Sequence, residues 1–196
     1  MDHLGSVIGL DGLEHTATCS ALPGTDPSYR FWARKGRPDK LAVVFNGGGA
    51  CWDDFTCSHP LYDEKLPLVV PQFFMPRVRA VDSPAHKSGL FDETRPDNPL
   101  RDWTVVVLPY CTGDLHVGMT TLPYHYASEP GVPSALPDQF EIRHRGFDNF
   151  MVVLDWIQHN LAAPEQILVA GDSAGGYASI LTHPWLQKLY PRASMA

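Results

Sequence analysis

Ile167-Leu168-Val169-Ala170 runs without a break into Gly171-Asp172-Ser173-Ala174-Gly175-Gly176, and the residues from Ala174 onward, with Tyr177, Ile180 and Leu181, suit a helix. A strand, a G-x-S-x-G corner and a helix in succession form the setting of a nucleophile elbow. So tight a turn holds its central serine in a strained conformation and lifts the hydroxyl above the sheet. Gly171 and Gly175 leave room where a Cβ would clash. The helix N-terminus beneath Ser173 offers a positive dipole end to a developing oxyanion. A serine that merely caps a helix needs no glycine on both sides. Chymotrypsin-like proteases also place serine after Gly-Asp, but their motif continues Gly-Gly-Pro in an all-β fold, whereas this one reads Ala-Gly-Gly and enters a helix.

Two further apolar runs, Leu41-Ala42-Val43-Val44-Phe45 and Trp103-Thr104-Val105-Val106-Val107-Leu108, are continuous rather than alternating. That pattern suits central strands covered on both faces. Arg30-Phe31-Trp32-Ala33-Arg34 is a weaker candidate that could pair at an edge. Phe147, Phe150, Met151, Leu154, Ile157 and Leu161 form one apolar stripe at helical spacing, Pro164 ends that helix, and the strand beginning near Gln166 follows. Helix followed by buried strand predicts an α/β layered fold with a mostly parallel sheet and helices on both faces. No repeat or composition shift divides residues 1–196, so a single domain is expected. Eighteen prolines and 16 glycines predict long, stiff loops, above all from Pro60 to Asp102, and exclude helix bundles and coiled coils. At 44% hydrophobic and 19% charged the chain is not of disordered composition.

Fifteen basic against 22 acidic side chains leave a net charge of −7, which disfavours nucleic acid as a partner. No run approaches the ~20 apolar residues of a membrane span. The opening Met1-Asp2-His3-Leu4-Gly5 lacks the basic region and apolar run of a secretion signal, which leaves the compartment open. The spacing of Cys19, Cys51, Cys57 and Cys111 fits no zinc motif, and no metal or organic cofactor is expected. Cys51 and Cys57 are close enough in sequence to close a small loop in an oxidising compartment, or to remain thiols.

Asn46-Gly47-Gly48-Gly49-Ala50 follows directly on the strand Leu41 to Phe45. Acyl transfer needs backbone N–H donors aimed at the carbonyl oxygen as it becomes negative, and consecutive glycines let the backbone approach a ligand closely. In hydrolases of this layout one donor comes from such a loop and another from the residue after the nucleophile, here Ala174. Taken alone the glycines read as a flexible loop; taken with the serine corner they read as an active site.

Asn46-Gly47-Gly48-Gly49-Ala50-Cys51-Trp52, then Pro109-Tyr110-Cys111-Thr112-Gly113-Asp114-Leu115-His116-Val117-Gly118, His144-Arg145-Gly146 and Gly171 to Gly176 together resemble the pectin acetylesterase/Notum family of α/β-hydrolases. The glycine and serine pieces alone also fit hormone-sensitive-lipase-like esterases. Those usually carry histidine where this chain has Asn46, and they lack the Tyr-Cys-Thr-Gly-Asp segment. The resemblance implies Ser173 as nucleophile and the N–H groups of Gly48, Gly49 and Ala174 as oxyanion donors, with Gly49 standing where Notum has tryptophan. It also implies a Cys51–Cys57 disulfide, a usually secreted enzyme and an acylated small-molecule or carbohydrate substrate. The net charge makes polyanionic pectin an awkward partner, although net charge says little about a local cleft.

An activated serine needs a histidine, and the histidine a carboxylate; in α/β-hydrolases both follow the serine in the chain. No Asp or Glu follows Ser173, and the one downstream histidine, His183, lies about 15 Å along the helix at ~1.5 Å per residue. The expectation is therefore a partial α/β-hydrolase fold, truncated after the elbow helix, with its later strands, triad acid and base missing. Such a chain should turn over little and tend to self-associate through an unpaired edge. Trp52, Asp114 and His116 are candidate cleft walls, with His116 the less favoured replacement base and Asp114 more readily a loop brace. His125, His144 and His159 read as loop or helix-surface residues, and the Asp172 side chain should point away from the hydroxyl. The leading function is a serine carboxylesterase releasing an acetyl or other short acyl group from a carbohydrate hydroxyl. A non-catalytic module that keeps the layout without a working triad is the alternative.

Overall fold

The computed structural model describes residues 5–61, 71–84, 89–127 and 136–196. Its main sheet has five strands in the order β3 (Trp32–Arg34), β5 (Trp103–Leu108), β4 (Arg37–Phe45), β8 (Gln166–Gly171), β9 (Ser194–Met195). The three continuous apolar runs supply β5, β4 and β8 at its centre. They run parallel, with Phe45 level with Leu108 on one side and Gly171 on the other. β3 pairs antiparallel with β5 at one edge, so the sheet is mixed. Because Phe45, Leu108 and Gly171 end at one level, the segments that follow them all leave the sheet at the same edge, where open α/β sheets bind ligands.

The sheet extends one strand beyond expectation. β9, parallel to β8 through Gln166↔Ser194 and Ile167↔Met195, covers the first part of the edge that was expected to lie unpaired. Its two residues carry no pattern by which a strand could be recognised.

Alternation along the strands sorts the core into two layers. Leu41, Val43 and Phe45 of β4, with Val106, Leu108 and Ile167, pack against Phe150, Met151, Val153, Leu154 and Ile157 of α2 (Gly146–Asn160) and Ala178 and Leu186 of α3 (Ala174–Leu189). On the other face Ala42, Val44, Val105 and Val107 meet Leu100, with Phe91 packed alongside. Helices on both faces were expected; among the described residues both long helices share one. The reason is the sense of the crossovers. A right-handed connection lies on opposite faces according to the direction in which it steps across the sheet. The steps from β5 to β8 and from β8 to β9 go one way and carry α2 and α3. The step from β4 back to β5 goes the other way and, among the described residues, holds only single helical turns and loop, which include Phe91 and Leu100.

Outside this sheet, β6 (Thr120–His125) and β7 (Gln139–His144) form an antiparallel ribbon. Its inward side chains Tyr124, Phe140 and Ile142 pack with Leu22, Phe74 and the Cys51–Cys57 disulfide. The short helix α1 (Asp54–Cys57) lies within that disulfide loop, capped by the Asp53 carboxylate, which accepts from Thr56 N. A second disulfide, Cys19–Cys111, joins the N-terminal segment to the loop after β5. The hairpin of β1 (Val7–Ile8) and β2 (Glu14–His15) is held to α2 by His15, fully buried between the carboxylates of Asp11 and Asp148.

Candidate active site

Ser173 sits at the corner between β8 and α3 with φ +50° and ψ −120°, a left-handed conformation that costs a non-glycine residue about 1–3 kcal/mol. Packing imposes it: a Cβ on Gly171 would run into the Gly175 carbonyl, and one on Gly175 into the Phe45 carbonyl. With both absent, the first turn of α3 presses against the ends of β8 and β4 and pushes the intervening serine outward. Ser173 is exposed, and its hydroxyl caps nothing in the helix. Gly175 N donates to Asp172 O and Gly176 N to Ser173 O, which leaves the Ala174 N–H with no partner among the described residues.

The glycine bend lies directly against this corner. Gly47 N donates to Asp172 Oδ1 at 3.1 Å, and a Cβ on Gly47 would stand 2.8 Å from Ser173 Cβ. The Asp172 carboxylate is thus engaged by the bend. The far side of the bend is pinned by Met75 N donating to Gly48 O and Ala50 N donating to Phe73 O, each at 2.8 Å. Gly49 has φ +77°, and a Cβ there would collide with the Phe73 carbonyl. These bonds use the Gly48 carbonyl and the Ala50 amide; the N–H groups of Gly48 and Gly49 have no partner among the described residues.

The loop after β5 supports the bend from behind. His116 is 1% exposed, donates from Nε2 to Asn46 O at 2.9 Å, and packs between the Phe45 and Tyr110 rings. Burial pushes its pKa below the usual imidazole value, only partly offset by the Asn46 carbonyl and the charges of Asp114 and Asp172. The imidazole is neutral there and buried beneath the bend rather than open in a cleft. Asp114 braces this loop: Oδ1 accepts from Thr112 Oγ1 (2.6 Å) and His116 N (3.0 Å), and Oδ2 from Gly118 N (3.0 Å) and Gly146 N (2.7 Å). Trp52, by contrast, is 68% exposed, its ring edge-on to Phe73.

His144 corrects the surface assignment. Phe140, Ile142 and His144 occupy the alternating positions of β7 that point inward, so the imidazole is buried. It donates from Nδ1 to Thr112 O and accepts at Nε2 from the Tyr124 hydroxyl. The sulfurs of Cys51 and Cys57 and a ring nitrogen of His144 lie within 4.8 Å of one another. With the sulfurs joined in a disulfide and both ring nitrogens bonded, this grouping is structural and offers no ligand set. His125 and His159 are exposed on β6 and α2. His183 lies within α3, which continues through Pro184 to Leu189. Among the described residues no histidine or carboxylate is hydrogen-bonded to the Ser173 hydroxyl.

A family model described as pectinacetylesterase matches residues 8–195. No curated protein matches the chain.

Proposed function

Because the chain belongs to the pectinacetylesterase family, a family of carbohydrate acetylesterases with an α/β-hydrolase-like fold, we propose that Ser173 is its nucleophile and that acetyl groups leave carbohydrate hydroxyls through an acyl-enzyme on Ser173. In this reading Ser173 Oγ attacks the ester carbonyl, and the tetrahedral oxyanion accepts hydrogen bonds from Gly48, Gly49 and Ala174. The alcohol leaves with a proton, and water then releases acetate and restores the serine. Trp52 is a wall of the cleft, while Asp114 and His116 hold its floor. The observation that carries the reading is the conjunction of three amides that have no partner among the described residues with an exposed, strained serine touching the bend that bears two of them. Buried or half-buried amides are almost always paired, so unpaired ones beside a serine of this kind suit an incoming oxyanion.

Among the described residues no histidine is bonded to the Ser173 hydroxyl; His116 and His144 are committed to backbone carbonyls, and His183 lies far along α3. That same fact supports a second reading, a non-catalytic module with a hydrolase layout. A fluorophosphonate probe separates them. Labelling of this chain that disappears in Ser173→Ala supports the nucleophile; equal labelling of the two removes Ser173 from the chemistry. Hydrolysis of p-nitrophenyl acetate lost in the same variant would place a complete set of catalytic groups within these residues.

A further inference from the structure

Asn46 is the residue at which β4 ends and the glycine bend begins. Its two backbone groups are held from different directions: Asn46 N donates to Leu108 O at 2.9 Å, and Asn46 O accepts from His116 Nε2 at 2.9 Å. The first bond continues the sheet. The second sets the plane of the peptide that leads into Gly47, and three glycines in succession have little stiffness of their own with which to hold it.

The surroundings of His116 show how much structure is committed to this one bond. Leu115 and His116 are consecutive non-glycine residues at positive φ, +59° and +64°, a conformation each adopts at a cost. They are kept there by the Asp114 carboxylate on His116 N and by the Tyr110 hydroxyl, which accepts from Leu115 N at 2.9 Å. The imidazole stands between Phe45, at 5.3 Å between ring centroids, and Tyr110, at 4.8 Å. Tyr110 in turn abuts Gly48, where a Cβ would meet its ring. The charged groups that face the imidazole are Asp114 and Asp172, and Asp172 also receives the Gly47 amide.

We propose that His116 is a positioning residue for acyl transfer, which orients the Gly48 and Gly49 amides by holding the Asn46 carbonyl through its Nε2–H. This rests on the reading of Ser173 and the bend given above. It requires a neutral imidazole with the proton on Nε2, consistent with its burial. It also accounts for why a left-handed pair of residues is retained behind the bend, since a relaxed backbone at 115–116 would not carry the ring to Asn46.

The test compares His116→Phe, which keeps an aromatic ring between Phe45 and Tyr110 without a donor, with His116→Gln, whose amide nitrogen reaches the place of Nε2. The readout is phosphonylation of Ser173 by a fluorophosphonate, with the maximal rate separated from the half-saturating concentration. Because misaiming oxyanion donors acts on the transition state, His116→Phe should lower the maximal rate about 10- to 100-fold. The half-saturating concentration should stay within about twofold, and His116→Gln should recover most of the rate. Amide NMR signals of Gly48 and Gly49 should move in His116→Phe and return in His116→Gln. Wild-type labelling in His116→Phe, or a His116→Gln no better than His116→Phe, overturns the proposal. Labelling that survives Ser173→Ala refutes instead the reading on which it rests. If no form labels, the Gly48 and Gly49 signals decide: unmoved in His116→Phe, they overturn the proposal. If either variant fails to fold, nitrogen shifts of the wild-type imidazole decide, and an Nε2 without its proton overturns it.

Discussion

Gly47→Ala tests the contact on which the site depends. The new methyl would stand 2.8 Å from Ser173 Cβ, 2.8 Å from Asp172 O and 2.7 Å from Asp172 Oδ2. The carboxylate oxygen can swing aside; the backbone oxygen and Cβ cannot. Carbon contacts settle near 3.5 Å, so the bend has to retreat from the serine by roughly 0.7 Å. Overpacking of this kind costs about 1–3 kcal/mol. At about 2–4 °C per kcal/mol for a chain of this size, the melting temperature should fall by about 4–8 °C for a cost near the middle of that range. The effect on Ser173 should be larger, since a displacement near 1 Å of groups that must meet a transition state costs up to about 100-fold. Labelling by a fluorophosphonate should therefore slow by about 10- to 100-fold. Gly176→Ala is the control: its methyl meets nothing closer than Gly171 O at 3.7 Å, so the helix should gain about 0.5 kcal/mol with no change in labelling. Wild-type labelling in Gly47→Ala, or equal slowing in Gly176→Ala, would refute the argument that the bend is set against the serine.

Opening Cys19–Cys111, which closes a separation of 92 residues, should destabilise more than opening Cys51–Cys57, which closes six; chain entropy gives about 4.6 against about 2.2 kcal/mol, measured by urea unfolding of the paired Cys→Ser variants. Stability should pass through a maximum near pH 6.5. Burial opposes charge on His15, but the hydrogen bonds to Asp11 and Asp148 outweigh it and raise its pKa, so that contribution is complete below about pH 6.5 and lost as pH rises through the folded value. Burial lowers the pKa of His116 and His144, so theirs is complete above about pH 6.5 and lost as pH falls. In urea titrations from pH 5 to 9, His15→Gln should flatten the alkaline limb alone, and a wild-type midpoint constant above pH 7 would contradict this. Asp114→Asn places an NH2 group either against the two amides Gly118 N and Gly146 N or against the His116 amide and the Thr112 hydroxyl, which can turn to accept; with the second, less costly orientation about 1–3 kcal/mol of stability should be lost in the same titration, and an unchanged midpoint would count against Asp114 as the brace.

The centre of the fold was legible because β4, β5 and β8 are covered on both faces, and a strand so placed leaves an unbroken apolar run. The edge strand β3, three half-buried or exposed residues, shows only weakly, while α2 shows through the helical spacing of its apolar stripe. The ribbon β6–β7 gives no comparable signal, although Gln139 to His144 alternates exposed and buried without a break. The apolar members of that alternation are only Phe140 and Ile142, too few to stand out from a charged loop. The period of two, continued from Phe140 and Ile142, is the signal that places His144 on the inward face. Cys19 and Cys111 are far apart in sequence, and no spacing rule links them. Ser173 and the glycines announce themselves through residue type. The grip of His116 on Asn46 depends on two left-handed residues that are neither glycine nor asparagine, and no composition signals those.

What keeps the serine edge of the sheet in register is a network with little secondary structure in it. Asn46 N donates to Leu108 O, Cys51 N to Gly113 O, Ser20 N to Cys111 O, Arg143 N to Ser20 O and Phe147 N to Gly118 O. With Asp114 on Gly146 N, these join the bend after β4, the loop after β5, the N-terminal segment and the start of α2. Each of these segments alone would be a loop with the mobility of loops. Both disulfides join the same set, Cys19–Cys111 at the loop after β5 and Cys51–Cys57 beside the bend. The parallel strands decide which chain ends meet; the cross-links decide how accurately they meet. The second requirement is the stricter one for a site built from backbone amides, because an amide has no rotamer with which to correct its own aim.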